Sequence, residues 1–157
     1  MSPDDPYDRL PYADFPVRHV ATTRWSDNDM YGHLNNAVYY ELFDAAINTW
    51  TGHHGGAAFA EAPVIGVVAE SGCRYHAQAA FPGPVTIGLA VARLGRSSVT
   101  YRLGLFVGDD PHQQELASAT ARWVHVYVDR ETGRPVEIPA PLRAAMEDAR
   151  AGLSRSV

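Results

Sequence analysis

Two carboxylates and a histidine crowd into one short stretch, Ser26-Asp27-Asn28-Asp29-Met30-Tyr31-Gly32-His33, which runs directly into a segment with helical periodicity. Tyr39, Leu42, Phe43, Ala46, Ile47 and Trp50 recur at the i, i+3, i+4, i+7 spacing of one helix face, which predicts a helix over about 35–51. Asn35 suits the N-cap, and Leu34 before it can pack on Tyr39 as a hydrophobic staple. The amides of Asn36 and Ala37 are then expected to lack intrahelical acceptors. N–H groups at the positive end of a helix can hold a carbonyl oxygen that becomes negative during reaction. With Asp29 a few residues upstream, the stretch has the equipment to attack an acyl carbon, or to activate a water that does so.

The elements around this stretch must hold it in place. A first strand is expected from about Val17 to Trp25, and a second, long one from Val64 to Ala77 after the glycine-rich Thr51-Gly-His-His-Gly-Gly56. Phe81-Pro-Gly-Pro84 breaks the chain before Val85, Ile87, Leu89 and Val91, which alternate with smaller residues at period two. A turn at 94–96 leads to a second alternating run, Val99, Tyr101, Leu103, Leu105 and Val107, and Leu116 to Val128 forms the last strand. Leu142, Ala145, Met146 and Ala149 keep helical spacing after Pro139 and Pro141. One strand, one long helix and four strands in a meander make an α+β layout, with the helix covering one face of an antiparallel sheet. Both faces of the last strand are apolar, so a partner subunit or a loop is expected over the face that the helix leaves.

A chain of 157 residues fits one domain. We divide it into a loose, acidic, proline-rich arm over residues 1–16, with no secretory or transit signal, and a single domain over 17–150. A net charge of -5 argues against a nucleic-acid surface, which needs clustered Lys and Arg. The longest apolar tract, Ala57 to Ala69, is interrupted by Glu61, Pro63 and Gly66 and is too short to span a bilayer, so no membrane partner is expected. Cys73 is the only cysteine, which excludes an intramolecular disulfide and fits a reducing, cytoplasmic setting.

The run Ser26-Asp-Asn-Asp-Met-Tyr-Gly-His-Leu-Asn-Asn-Ala-Val-Tyr-Tyr40 resembles the signature of hot-dog fold acyl-CoA thioesterases, in the branch of 4-hydroxybenzoyl-CoA thioesterase. Ala-Arg-Leu-Gly-Arg-Ser-Ser-Val-Thr-Tyr at 92–101 and the segment 124–139 resemble the last long strands and closing segment of that family, so the likeness runs from about Val17 to Met146. It implies a hot-dog domain, an antiparallel sheet wrapped around one long central helix with a short C-terminal helix. It implies acyl-CoA hydrolysis without a cofactor, and a homodimer or homotetramer. Asp29 takes the place of the catalytic carboxylate, and the backbone amide of Asn36 that of the group polarising the thioester carbonyl. The best-studied branches carry His or Tyr where this chain has Asn36. Contacts to CoA are implied around the strand pair that carries Arg93, Arg96, Ser97 and Ser98.

Each of these residues also has a plainer reading. Asp27 reads as a turn former, and His33 either satisfies turn carbonyls or supports catalysis. One histidine with two carboxylates in a single turn lacks the ligand spread of a zinc or iron site, so no metal is expected. Glu41 and Asp44 on the helix are backup carboxylates, read first as solvated or helix-capping. The Arg93–Ser98 turn serves either solubility or the phosphates of CoA, with Arg74 and Arg102 as looser candidates. A silent acyl-CoA binding protein and a hydratase on the same fold are the competing functions. The hydratases resemble a different D-x-N-P turn.

Overall fold

The computed structural model describes residues 5–56, 59–110 and 116–150. β1 (Val17–Thr22) leads through a one-turn 3-10 helix (Trp25–Asp27) to α1 (Asn36–Gly55). β2 (Val64–Tyr75), β3 (Pro84–Leu94), β4 (Ser98–Val107), β5 (Ala119–Asp129) and α2 (Ala140–Asp148) follow. All strand pairings are antiparallel, in one sheet of order β1-β3-β4-β5-β2. A sheet wrapped on one long helix, with a short helix after it, is the hot-dog architecture the resemblance implies.

The expected four-strand meander holds for β3, β4 and β5 and fails for β2. That strand lies at the far edge against β5, with Val64 opposite Asp129 and Tyr75 opposite Ala119. Its link to β3, residues 76–83, is longer than a hairpin loop and crosses the end of the sheet. Buried Ala79 lies in that crossing, and its carbonyl accepts from Leu34 N at 2.8 Å. The crossing thereby ties the end of β2 to the loop that carries Asp29.

α1 buries Tyr39, Phe43, Ala46, Ile47 and Thr51 against the inward-facing residues of β3, β4 and β5, such as Ile87, Tyr101 and Trp123. Full burial of side chains such as Phe43 and Ile47 contributes about 1.5–3 kcal/mol each. The helix runs past the expected end at 51 to Gly55, and Gly56, at φ 83°, takes the chain out of it. Among the described residues no helix is long and apolar enough to cross a membrane.

The outer face has a small core of its own, built on Phe15, Ala90, Phe106 and Ala117. Gly88 and Gly104 are register partners on β3 and β4 and leave a trough that the Phe15 ring fills; a Cβ on Gly88 would come within 2.5 Å of that ring. Residues 5–15, expected to be loose, are therefore packed. Arg102 donates to the carbonyls of Asp5 and Asp8, Arg9 to Ala117 O, and Thr120 to Tyr7 O. The apolar side chains of this segment, Leu10, Tyr12 and Phe15, have no regular spacing that would mark them as core.

The outer side of β5 is only partly covered. Val124 and Val126 are half-buried while Trp123, His125 and Tyr127 are buried under α1.

Candidate active site

The loop between β1 and α1 is a closed ring. Asn28 and Leu34 form an isolated β-bridge, Asp29 N donates to His33 O at 2.8 Å, and Gly32, at φ 81°, makes the reversal that a side chain would strain. Asn28 anchors the ring to the crossing segment by a reciprocal pair, its Nδ2 donating to Phe81 O at 3.2 Å and its Oδ1 accepting from Phe81 N at 2.9 Å. Asp27 is the structural carboxylate. It is 3% exposed, accepts from Arg24 N and Nε at 2.7 and 2.9 Å, and its carbonyl accepts from the N-cap amide of Asn35. The Arg24 side-chain bond draws its pKa below the ordinary carboxylate value against the opposing effect of burial.

Asp29 is held differently. Its Oδ1 accepts from Tyr31 N at 2.8 Å and His33 N at 3.3 Å, and among the described residues nothing donates to Oδ2. The carboxylate is fixed by one oxygen and free at the other. At the helix start the expectation of two open amides is corrected to one: Asn35 Oδ1 caps Ala37 N at 3.0 Å, and only the Asn36 N–H lacks an acceptor among the described residues. An N-cap that accepts from N2 spends that amide on the cap.

Asp29, His33, Leu34, Asn36, Tyr39, Tyr75, Ala77 and Gln78 line one cavity of about 210 Å³. A second hollow of about 270 Å³ lies against Asp29 among Trp25, Asn28, Met30 and Gly32. Trp25, Met30 and Tyr31 are 85%, 89% and 78% exposed and form an apolar rim. The cavity thus has a carboxylate and the first residue of a helix on its wall. Tyr75 and Gln78 escape sequence reasoning: each is distant in the chain from the Asp29 turn and carries no local motif.

Other candidates lie elsewhere. Glu41 is exposed and pairs with Arg24 at 3.1 Å, and Asp44 faces buried His125, whose pKa burial lowers and Asp44 raises in opposition. Neither lines the cavity that holds Asp29. Burial pushes the Cys73 thiol up to about 11, which keeps it protonated and a poor nucleophile in neutral water. Arg93, Arg96, Ser97 and Ser98 sit at the β3–β4 hairpin, whose backbone is tied to the C-terminal segment by Ile138 N to Arg96 O and Arg143 to Gly95 O. The Asp29 loop is anchored near the start of β3, and β3 runs roughly 33 Å to that hairpin at the usual rise per residue. Within one chain the structure does not bring the two groups together. Arg74 is engaged with Asp5 at 2.7 Å and stacks over Tyr7.

The family model of the thioesterase-like superfamily matches residues 23–146. The chain belongs to that superfamily. It is a thioester hydrolase by family, and the matched span contains the Asp29 loop, α1 and every strand from β2 to β5. This thioesterase is similar to the PA5185 protein of Pseudomonas aeruginosa strain PAO1, with 44% identity, a TM-score of 0.84, and coverage of 91% of this chain and 97% of that one. It is 28% identical to a thioesterase of Thermus thermophilus crystallised with coenzyme A and Zn, covering 84% and 98% of the two chains at a TM-score of 0.68. A 1,4-dihydroxy-2-naphthoyl-CoA thioesterase of Synechocystis, 13% identical over 83% of this chain and 95% of that one, shares the fold at a TM-score of 0.71. No curated protein matches the chain.

Proposed function

We propose that this thioesterase hydrolyses an acyl-CoA to the free acid and CoA, with Asp29 and the Asn36 amide as its working groups. The observation that carries this reading is the cavity where a carboxylate with one unbonded oxygen meets a helix-end N–H without an acceptor. The likeness to a thioesterase that holds coenzyme A supports CoA as the thiol. The thioester carbonyl oxygen sits on the Asn36 N–H, which stabilises the charge that develops there. Asp29 either attacks the carbonyl carbon, forming an anhydride that water then opens, or removes a proton from the water that attacks. The C–S bond breaks, the thiolate leaves and takes up a proton, and the acid is released. His33 lines the same cavity and supports the carboxylate in orienting water. A thiol-release screen across short, long, branched and aromatic acyl-CoAs tests the reading; tight binding without release on every substrate would make the chain a silent acyl-CoA binding protein.

The nucleotide of CoA is assigned to Arg93, Arg96, Ser97 and Ser98 of a neighbouring copy in a homodimer or a tetramer built from it. β2 is an edge strand with Val67 and Val68 38% and 49% exposed. Antiparallel pairing along two such edges sets the hairpin end of one copy beside the Asp29 end of the other. The half-buried outer face of β5 adds apolar surface for higher assembly, and the lone Cys73 fits a cytoplasmic location. Replacing Arg93 and Arg96 by Ala should raise KM for acyl-CoA about tenfold with little change in kcat, since the nucleotide is held alike in ground and transition states. An N-acetylcysteamine thioester, which lacks the nucleotide, should not respond, and equal loss on both substrates would remove the assignment. Light scattering of the active protein should give a multiple of 17.1 kDa. A fully active monomer would refute the shared site.

A further inference from the structure

Tyr75 ends the edge strand β2 and reaches across to the first turn of α1, where its hydroxyl donates to Asn36 O at 3.4 Å. Its ring meets that of Tyr39 edge-on, with centroids 5.0 Å apart at 87°, and both rings line the cavity with Asp29. The bond is long, but its place in the backbone gives it consequence. The peptide group before the Asn36 Cα is held through Asn35 O, which accepts from Val38 N at 2.9 Å. The peptide group after it is held at its N–H end by the Asn35 side chain, at 3.0 Å on Ala37 N, and at its C=O end by the helical bond from Tyr40 N, to which the Tyr75 hydroxyl adds a second.

We propose that Tyr75 is a positioning residue: by adding a second bond to the Asn36 carbonyl and packing its ring on Tyr39, it braces the first turn of α1, the turn whose free Asn36 N–H receives the reacting carbonyl oxygen. The inference rests on the acyl-transfer reading of this site and adds a residue to it. An oxyanion donor is worth most when it needs no reorganisation at the moment of reaction, and a first helical turn with open groups is otherwise prone to fray. The hydroxyl is suited to the task. Tyr75 is half-exposed and its hydroxyl also meets the Cys73 thiol; desolvation, and after it Cys73, raises its pKa above the ordinary tyrosine value, so the O–H keeps its proton in neutral water.

Tyr75→Phe removes only the hydroxyl and keeps the ring on Tyr39. In the full-length protein it should lower kcat about tenfold and leave KM within twofold, with the thermal midpoint and the shape of the pH–rate profile unchanged. Backbone 15N relaxation supplies a readout independent of turnover: order parameters of the Asn36 and Ala37 amides should fall, while those beyond Tyr39 hold. Unchanged order parameters at Asn36 and Ala37 would overturn the inference whatever the kinetics. So would a rise in KM matching the fall in kcat, which assigns Tyr75 to substrate binding, or the loss of a limb of the pH profile, which assigns it to proton transfer. A wild-type protein that releases no thiol from any acyl-CoA defeats the parent reading and leaves the relaxation result to decide this one.

Discussion

Asp29→Asn is expected to keep the folded loop and lower kcat for acyl-CoA by about 10²–10⁴-fold, the range a positioned acid–base group contributes. The loop survives because its backbone bonds are untouched and both bonds to the Asp29 side chain, from Tyr31 N and His33 N, fall on Oδ1, which an asparagine oxygen can replace as acceptor. The substitution changes the other oxygen, which becomes an NH2 group that neither attacks a carbonyl nor takes a proton from water. Steady-state kinetics on purified protein, with circular dichroism as the check on folding, measure the effect. Glu41→Gln and Asp44→Asn serve as the comparison and should stay within a fewfold of wild type. If Asp29→Asn turns over normally while one of those is dead, the catalytic carboxylate is on α1.

The amide offers a test that side-chain replacement cannot give. Asn36 is the first residue of α1, the one helical position where proline is favoured, because its N–H has no intrahelical partner and its φ is already helical. Asn35, at φ -57° and ψ 139°, has the extended geometry required before a proline. Asn36→Pro should therefore fold with its helix intact, yet lose the open helix-end amide, and kcat should fall about 10²–10³-fold. Asn36→Ala, which keeps the amide, should remain near wild type. Loss of activity in both variants would move the role from the backbone to the Asn36 side chain.

The parts of the site that lie within one local segment were legible before folding was considered. The α1 face from Tyr39 to Ile47 follows from spacing, and the Asp29 turn follows from residue type and the glycine in it. What depends on long-range pairing was not. The expected meander failed at β2 because nothing in Val64–Tyr75 says which strand it will lie beside; the crossing over Ala79 settles that, through a bond to Leu34. Tyr75 was missed for the same reason, since its partner Asn36 lies on another element. The open Ala37 amide was a local misjudgement of another kind: the cap residue was recognised, but not that its side chain would occupy one of the two donors. The small residues alternating along β3 between Ile87 and Leu89 carry no local signal of what they receive. Gly88 proves to be a seat for Phe15.

That seat sets an order in time. Phe15 leaves the ribosome long before Gly88 and Gly104 do, and the trough that receives it exists only once β3 and β4 have paired. During synthesis the first apolar segment of the chain must wait, with its aromatic rings in water or in temporary company, until most of the sheet has been made. A segment made before the sheet takes its place only after two of the later strands have paired.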